Sequence, residues 1–267
     1  MRATQTLLSR NFFGRSMDEL RRRTQIAVSF EAVKGATKPK PLYDFNTSNN
    51  VRDCIVMTDK TIGGFSDSNF EHATSTDPKS PSSYARFYGS ISTRLPADKP
   101  NIQRTGFAGF RTPDQRPTVF GRSMWDIDPF LYLALRVKSD GRSYFVNLQT
   151  ESVEPSDLHQ HRLFAKRPGQ WETVLIKWND FVRTNHGFVV EPQTEMLRQK
   201  VLSVGVGLTD RVEGPFELCI ERVWATNDVS EADSGAPTVE AKAEETPAKG
   251  TPAEGGLRNR KGEKVRW

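Results

Sequence analysis

The side chains able to do chemistry are few and scattered. The chain carries four histidines, His72, His159, His161 and His186, and two cysteines, Cys54 and Cys219, in 267 residues. His159 and His161 stand two apart in a segment of strand character, so they share one face. Two imidazoles there could begin a metal site with Asp157 or Glu154, but a third ligand at a metal-binding spacing is missing, and two surface histidines are the simpler reading. Asp126 and Asp128 flank Ile127 on a turn into Pro129, with nothing nearby to complete an acid–base pair. Gly205-Val206-Gly207 lacks the third glycine of a dinucleotide loop and lies inside a strand, where glycines admit a bulge or a close neighbour. There is no phosphate loop, serine elbow or HExxH. Two cysteines make no disulfide framework, and they read as buried thiols of a reducing compartment. No catalytic residue, metal ligand set or cofactor is therefore expected, and the chain is read as a non-enzyme.

The elements that would position these groups are strands. Leu131, Leu133, Leu135 and Val137 alternate with Tyr132, Ala134, Arg136 and Lys138. Leu202, Val204, Val206 and Leu208 alternate with Ser203, Gly205, Gly207 and Thr209, and Phe216, Leu218 and Ile220 with Glu217, Cys219 and Glu221. A twofold period of this kind marks half-buried strands. The segment Trp171 to Trp178 is apolar on both faces, which predicts a central strand. Further strands are predicted at 84–93, 106–112, 143–152 and 160–166, with turns at Asp140-Gly141, Pro168-Gly169 and Gly214-Pro215. The insert Phe181 to Lys200 has room for a short helix near Thr194 to Gln199. Strands and turns without regular helices between them predict an all-β sandwich or jelly roll over residues 42–227.

The two ends differ from this middle. Residues 1–41 form a basic segment, and Met1 to Met17, with Arg2, Arg10 and Arg15 and no acid, has the composition of a mitochondrial presequence. Ser16-Met17-Asp18-Glu19 has capping-box spacing and predicts a helix over 17–34 carrying the run Arg21, Arg22, Arg23. Such a run suits anionic lipid or an acidic partner, although a solvated face is the commoner origin of one. Residues 228–267 are rich in Ala, Glu, Pro, Thr and Gly up to Gly256, then basic to Trp267, and read as a disordered tail. The formal charge of +5 is too weak to imply nucleic acid. No run approaches the ~20 apolar residues of a membrane-spanning helix.

The most specific local feature is Asp59-Lys60-Thr61-Ile62-Gly63-Gly64-Phe65-Ser66. Its paired glycines permit positive φ or close approach, and Ile62, Gly63, Gly64, Phe65 and Ser66 are a candidate partner-binding loop with Phe65 as anchor. This octapeptide resembles the "D-x-x-x-GG-x-S" signature of the complex I intermediate-associated protein 30 family. The stretch Trp171 to Phe181, WETVLIKWNDF, resembles its "W-x-x-V-x-I-x-x-x-D-F" strand and turn, and Leu202 to Gly207 followed by Gly214 to Leu218 is similar to its closing strand pair. The resemblance covers residues 42–227. It implies a galactose-binding-like jelly roll close to carbohydrate-binding modules, on the matrix side of the mitochondrial inner membrane. It implies assembly of respiratory complex I, with other assembly factors and membrane-arm subunits as partners and no catalytic residues. The same fold offers a second reading, a sugar-binding face lined by Tyr84, Tyr88, Tyr132 and Trp178.

Overall fold

The structure, a computed structural model, describes residues 12–29 and 38–232 apart from 79, 153 and 155. Two antiparallel sheets pack face to face as a jelly-roll sandwich. The first sheet has the order β3 (Asp67–Thr74), β4 (Ser83–Ile91), β13 (Gly214–Thr226), β6 (Tyr132–Ser139), β9 (Trp171–Lys177). β1 (Lys40–Asp44) extends it by pairing with the far half of β13, which is long enough to hold β4 and β1 along one side. The second sheet runs β11 (Phe188–Val189), β10 (Val182–Asn185), β8 (Asp157–Arg162), β7 (Tyr144–Thr150), β12 (Val201–Leu208), β5 (Ala108–Arg111), β2 (Ile55–Thr58). A short helix, α2 (Ser48–Asp53), is capped by the Thr47 hydroxyl, which accepts from Asn50 N.

The core is what the alternation predicts. Leu133, Leu135 and Val137 from β6 meet Val204, Val206 and Leu208 from β12 between the sheets, each at most 2% exposed. Burying a side chain of this size contributes roughly 1.5–3 kcal/mol. Phe45, Phe70, Phe87 and Phe110 form an aromatic cluster, with Phe70 stacked on Phe110 at 4.2 Å. On β13 the inward phase set by Phe216, Leu218 and Ile220 shifts at a bulge after Ile220, so that Val223 and Ala225 take over the core positions. The glycines of β12 admit close neighbours: a Cβ on Gly205 would lie 2.5 Å from the Phe110 carbonyl oxygen, and one on Gly207 3.0 Å from the Asn147 amide.

Several expectations are corrected. β9 is an edge strand, not a central one. Its second apolar face is covered locally, Trp171 meeting Tyr84 at 5.1 Å. Leu131 is exposed, because β6 begins one residue later. No helix forms near 194–199. That stretch runs beside residues 125–127, where Ile127 N donates to Arg198 O, and Trp125 and Val201 form a bridge. The N-terminal helix α1 spans Phe12–Ser29, so Ser16 is an interior residue rather than an N-cap, its hydroxyl donating to Phe12 O. The predicted continuation of this helix to residue 34, the presequence-like residues 1–11 and the tail beyond 232 lie outside the described residues. Within the predicted tail, Val229–Glu231 forms a 3₁₀ turn capped by Asp228, and Glu231 accepts from the Trp224 indole.

Candidate functional site

The glycine loop is built around Asp59. Residues Asp59–Ile62 make a 3₁₀ turn ended by Gly63 at φ +102°, a left-handed conformation that favours glycine. Asp59 is fully buried, and its carboxyl oxygens accept from Ser66 N at 2.9 Å, Ser66 Oγ at 2.8 Å and Gly106 N at 2.6 Å. Gly64 passes directly over this side chain, and a Cβ there would stand 2.3 Å from Asp59 Cγ. The motif therefore closes the loop onto the segment before β5. Of the five candidate partner residues, Gly64 and Ser66 are buried, Ile62 and Gly63 are half-buried, and Phe65 alone presents an exposed ring. The Arg94 guanidinium lies over that ring at 4.5 Å.

The histidine pair does not converge as a metal site. His159 is buried, and its pKa is lowered by that burial and by the nearby Arg183 guanidinium. Asp157 beside it is held below the usual carboxyl range by Asn185, which donates to Oδ1 at 2.7 Å, and by Arg183, which donates to Oδ2. His161 packs its ring against Phe164 and Phe181. Among the described residues no three His, Cys, Asp or Glu side chains come together as a ligand set. Asp126 and Asp128 are turn residues, Asp126 Oδ1 accepting from Asp128 N at 3.2 Å. The two thiols are not bonded to each other, and burial pushes Cys54 up to about 11 and Cys219 up to about 12.

Two surfaces stand out instead. The first is a cleft of about 1100 Å³ over the outer face of the seven-stranded sheet. Phe145, Gln160, Val182 and Thr184 line its strands, Arg104 and Phe107 come from the segment before β5, and Phe188 and Val189 from the hairpin of β10 and β11. Sequence reasoning missed it, because its lining is drawn from segments more than eighty residues apart. The aromatics expected to bind sugar lie elsewhere: Tyr84, Tyr88 and Tyr132 belong to strands of the opposite sheet, and Trp178 is buried.

The second surface is α1 and the loop beneath it. Ser16 Oγ accepts from Val119 N at 2.9 Å, and the Arg23 guanidinium, paired with Glu19 at 2.9 Å, lies over the Phe120 ring. Phe12, Phe13, Met17 and Leu20 on the helix, with Val119 and Phe120 on the loop, are all exposed, Phe13 at 78%. Arg21 is exposed as well, while the Arg22 side chain lies outside the described residues.

Fold and surfaces together define the class: a jelly-roll module with an open cleft on one sheet and an amphipathic helix at one side. The family 11 carbohydrate-binding module of the cellulosomal cellulase Lic26A-Cel5E of Clostridium thermocellum shares the fold, with a TM-score of 0.50 over 72% of this chain and 96% of that one at 12% identity. The sequence pattern of the Complex I intermediate-associated protein 30 family matches residues 43–220. The mitochondrial Complex I intermediate-associated protein 30 of Neurospora crassa is 57% identical over 248 residues, which cover 87% of this chain and 89% of that protein. The mouse protein of the same name is 28% identical over 190 residues, 70% of this chain and 56% of its own length. The chain belongs to the Complex I intermediate-associated protein 30 family, and these relatives are named mitochondrial.

Proposed function

We propose that the protein is a holding scaffold for mitochondrial respiratory complex I. It binds assembly intermediates, other assembly factors and membrane-arm subunits without catalysing a reaction, on the matrix side of the inner membrane. The observation that carries this reading is the extent of the family match, which runs from within β1 to the middle of β13. The buried, hydrogen-bonded state of Asp59 and Asp157 and the raised thiol pKa values agree with groups that hold structure. Phe65 and Ile62 are the accessible partner contacts of the glycine loop. Depleting the protein leaves the membrane and peripheral arms of complex I unjoined on native gels, and re-expression restores them. Fully assembled complex at its normal level in the depleted strain overturns the proposal.

The peripheral membrane contact is made by α1. Its exposed apolar residues Phe13, Met17 and Leu20 recur at helical spacing, and Arg21 and Arg23 flank them. Each basic side chain near an anionic surface contributes roughly 1 kcal/mol, which salt removes. Flotation on vesicles containing anionic lipid is expected to fall with added salt, with Arg21→Gln plus Arg23→Gln, and with Met17→Ser plus Leu20→Ser. Flotation unchanged by all three removes the membrane contact from the reading.

A further inference from the structure

The cleft on the seven-stranded sheet carries an unusual combination of groups. Arg104, Arg162 and Arg211 line it, and Asp180 is the sole carboxyl group among its lining residues. Six arginines elsewhere are matched with acids, Arg23 with Glu19, Arg86 with Glu217, Arg111 and Arg122 with Asp114, Arg142 with Asp210 and Arg183 with Asp157, while Arg94 and Arg222 lie over single aromatic rings outside the cleft. Among the described residues the three cleft arginines have no such ion pair. The Arg104 guanidinium lies over the Phe188 ring at 5.6 Å and that of Arg162 over Phe164 at 5.3 Å, so both are held against apolar rings.

Three ligand chemistries can be weighed against this lining. The cleft, at about 1100 Å³ and open along the sheet, has room for an extended ligand. An acyl chain would cover Phe188, Val189 and Val182, but it would strip water from Gln103, Gln160 and Thr209 and return no hydrogen bond. A neutral oligosaccharide would satisfy the amides and hydroxyls, yet leave three guanidinium groups without an anion, and no Trp or Tyr face is among the lining residues. An extended polypeptide answers all three demands. Its backbone meets the amides and hydroxyls, its apolar side chains meet the phenyl rings, and its carboxylates meet the arginines in charge-assisted hydrogen bonds.

The geometry points to this cleft as the seat of an extended partner segment in which acidic and apolar residues alternate. This rests on the scaffold reading above, since it takes the occupant to be part of a held partner chain. The test uses the full-length protein in two arms. In the first, a fluorescent synthetic peptide alternating Asp or Glu with Val or Phe is titrated by anisotropy, beside its counterpart with Lys at each acid. Saturable binding of the acidic peptide alone is expected. It should weaken at least tenfold in Arg104→Gln/Arg162→Gln/Arg211→Gln and in Phe188→Ser/Val189→Ser, with the melting temperature unchanged because these side chains are exposed. Equal binding of both peptides, or an affinity within twofold of the parent in both variants, overturns the proposal. So does cleft-dependent binding of anionic vesicles or of a β-glucan tetrasaccharide in place of the peptide. In the second arm a photo-crosslinking residue at Val189 is carried into mitochondria, with one at Leu131 as control. Crosslinks from Val189 are expected on an acidic–apolar segment whose synthetic peptide repeats the first arm. Crosslinks no stronger than from Leu131 overturn it. If the arginine triple variant restores complex I in the depleted strain, the cleft assignment falls and the scaffold reading stands. If the parent protein itself proves dispensable for assembly, the scaffold reading falls.

Discussion

Gly64→Ala is a one-carbon change that should act through a residue five positions away. The added Cβ would stand 2.3 Å from Asp59 Cγ, 2.6 Å from Oδ1 and 2.7 Å from Asp59 Cβ. Three atoms of one buried side chain are encroached, so rotating the carboxyl group gives no relief, and Asp59 must leave its seat. Ser66 N and Gly106 N then lose their acceptor in a buried setting. An orphaned buried donor costs ~1–3 kcal/mol, which puts the loss at about 2–6 kcal/mol for the two. Against a typical domain stability of roughly 5–15 kcal/mol this is a large fraction. Urea unfolding followed by tryptophan fluorescence should show a midpoint lower by about 1 M or more at unchanged slope. A cycle with Asp59→Gly separates a loss routed through Asp59 from one that arises elsewhere in the loop. Asp59→Gly removes all three encroached atoms and also loses the hydrogen bonds, so the double variant should be no less stable than Asp59→Gly alone. The coupling energy then equals nearly the whole cost of Gly64→Ala. Losses that add within about 0.5 kcal/mol, or a cost for Gly64→Ala below that, would refute the argument.

Three further outcomes follow from the same structure. Burial acts to raise the Asp210 carboxyl, but hydrogen bonds from Arg142 prevail and hold it low, and Arg86 does the same for Glu217. Their stability is present above the ordinary carboxyl range near pH 4 and is lost as pH falls through the lowered values, so unfolding free energy should drop below about pH 4, and less steeply in Asp210→Asn. With the thiols at about 11 and about 12, native protein at pH 8 should react with a disulfide reagent at least a hundredfold more slowly than free cysteine, and both thiols should react at once in urea; prompt native labelling would contradict the burial of either. Ser16→Ala removes the acceptor of Val119 N and should raise exchange of that amide by about tenfold, while core amides of β6 and β12 are unchanged.

The twofold alternation of Leu133, Leu135 and Val137, and of Val204, Val206 and Leu208, was enough to predict a sandwich, because a strand with one buried face must repeat every second residue. The signature from Asp59 to Ser66 was legible for a similar reason: Gly63 is left-handed, and a Cβ on Gly64 would strike the buried Asp59 side chain, so the constraint is written in adjacent letters. Other features were decided only in three dimensions. That β9 lies at an edge depends on its having a single partner strand, which its own composition does not encode. That Ser16 sits inside a helix and meets Val119 depends on a contact across 103 residues of chain. The cleft is the clearest case. Arg104, Arg162, Arg211, Phe145 and Phe188 share no period or spacing, and only the stacking of β7, β8 and β10 beside the segment before β5 brings them to one surface. Short-range periodicity therefore determined which residues are buried, and the tertiary arrangement of the strands determined which exposed residues act together.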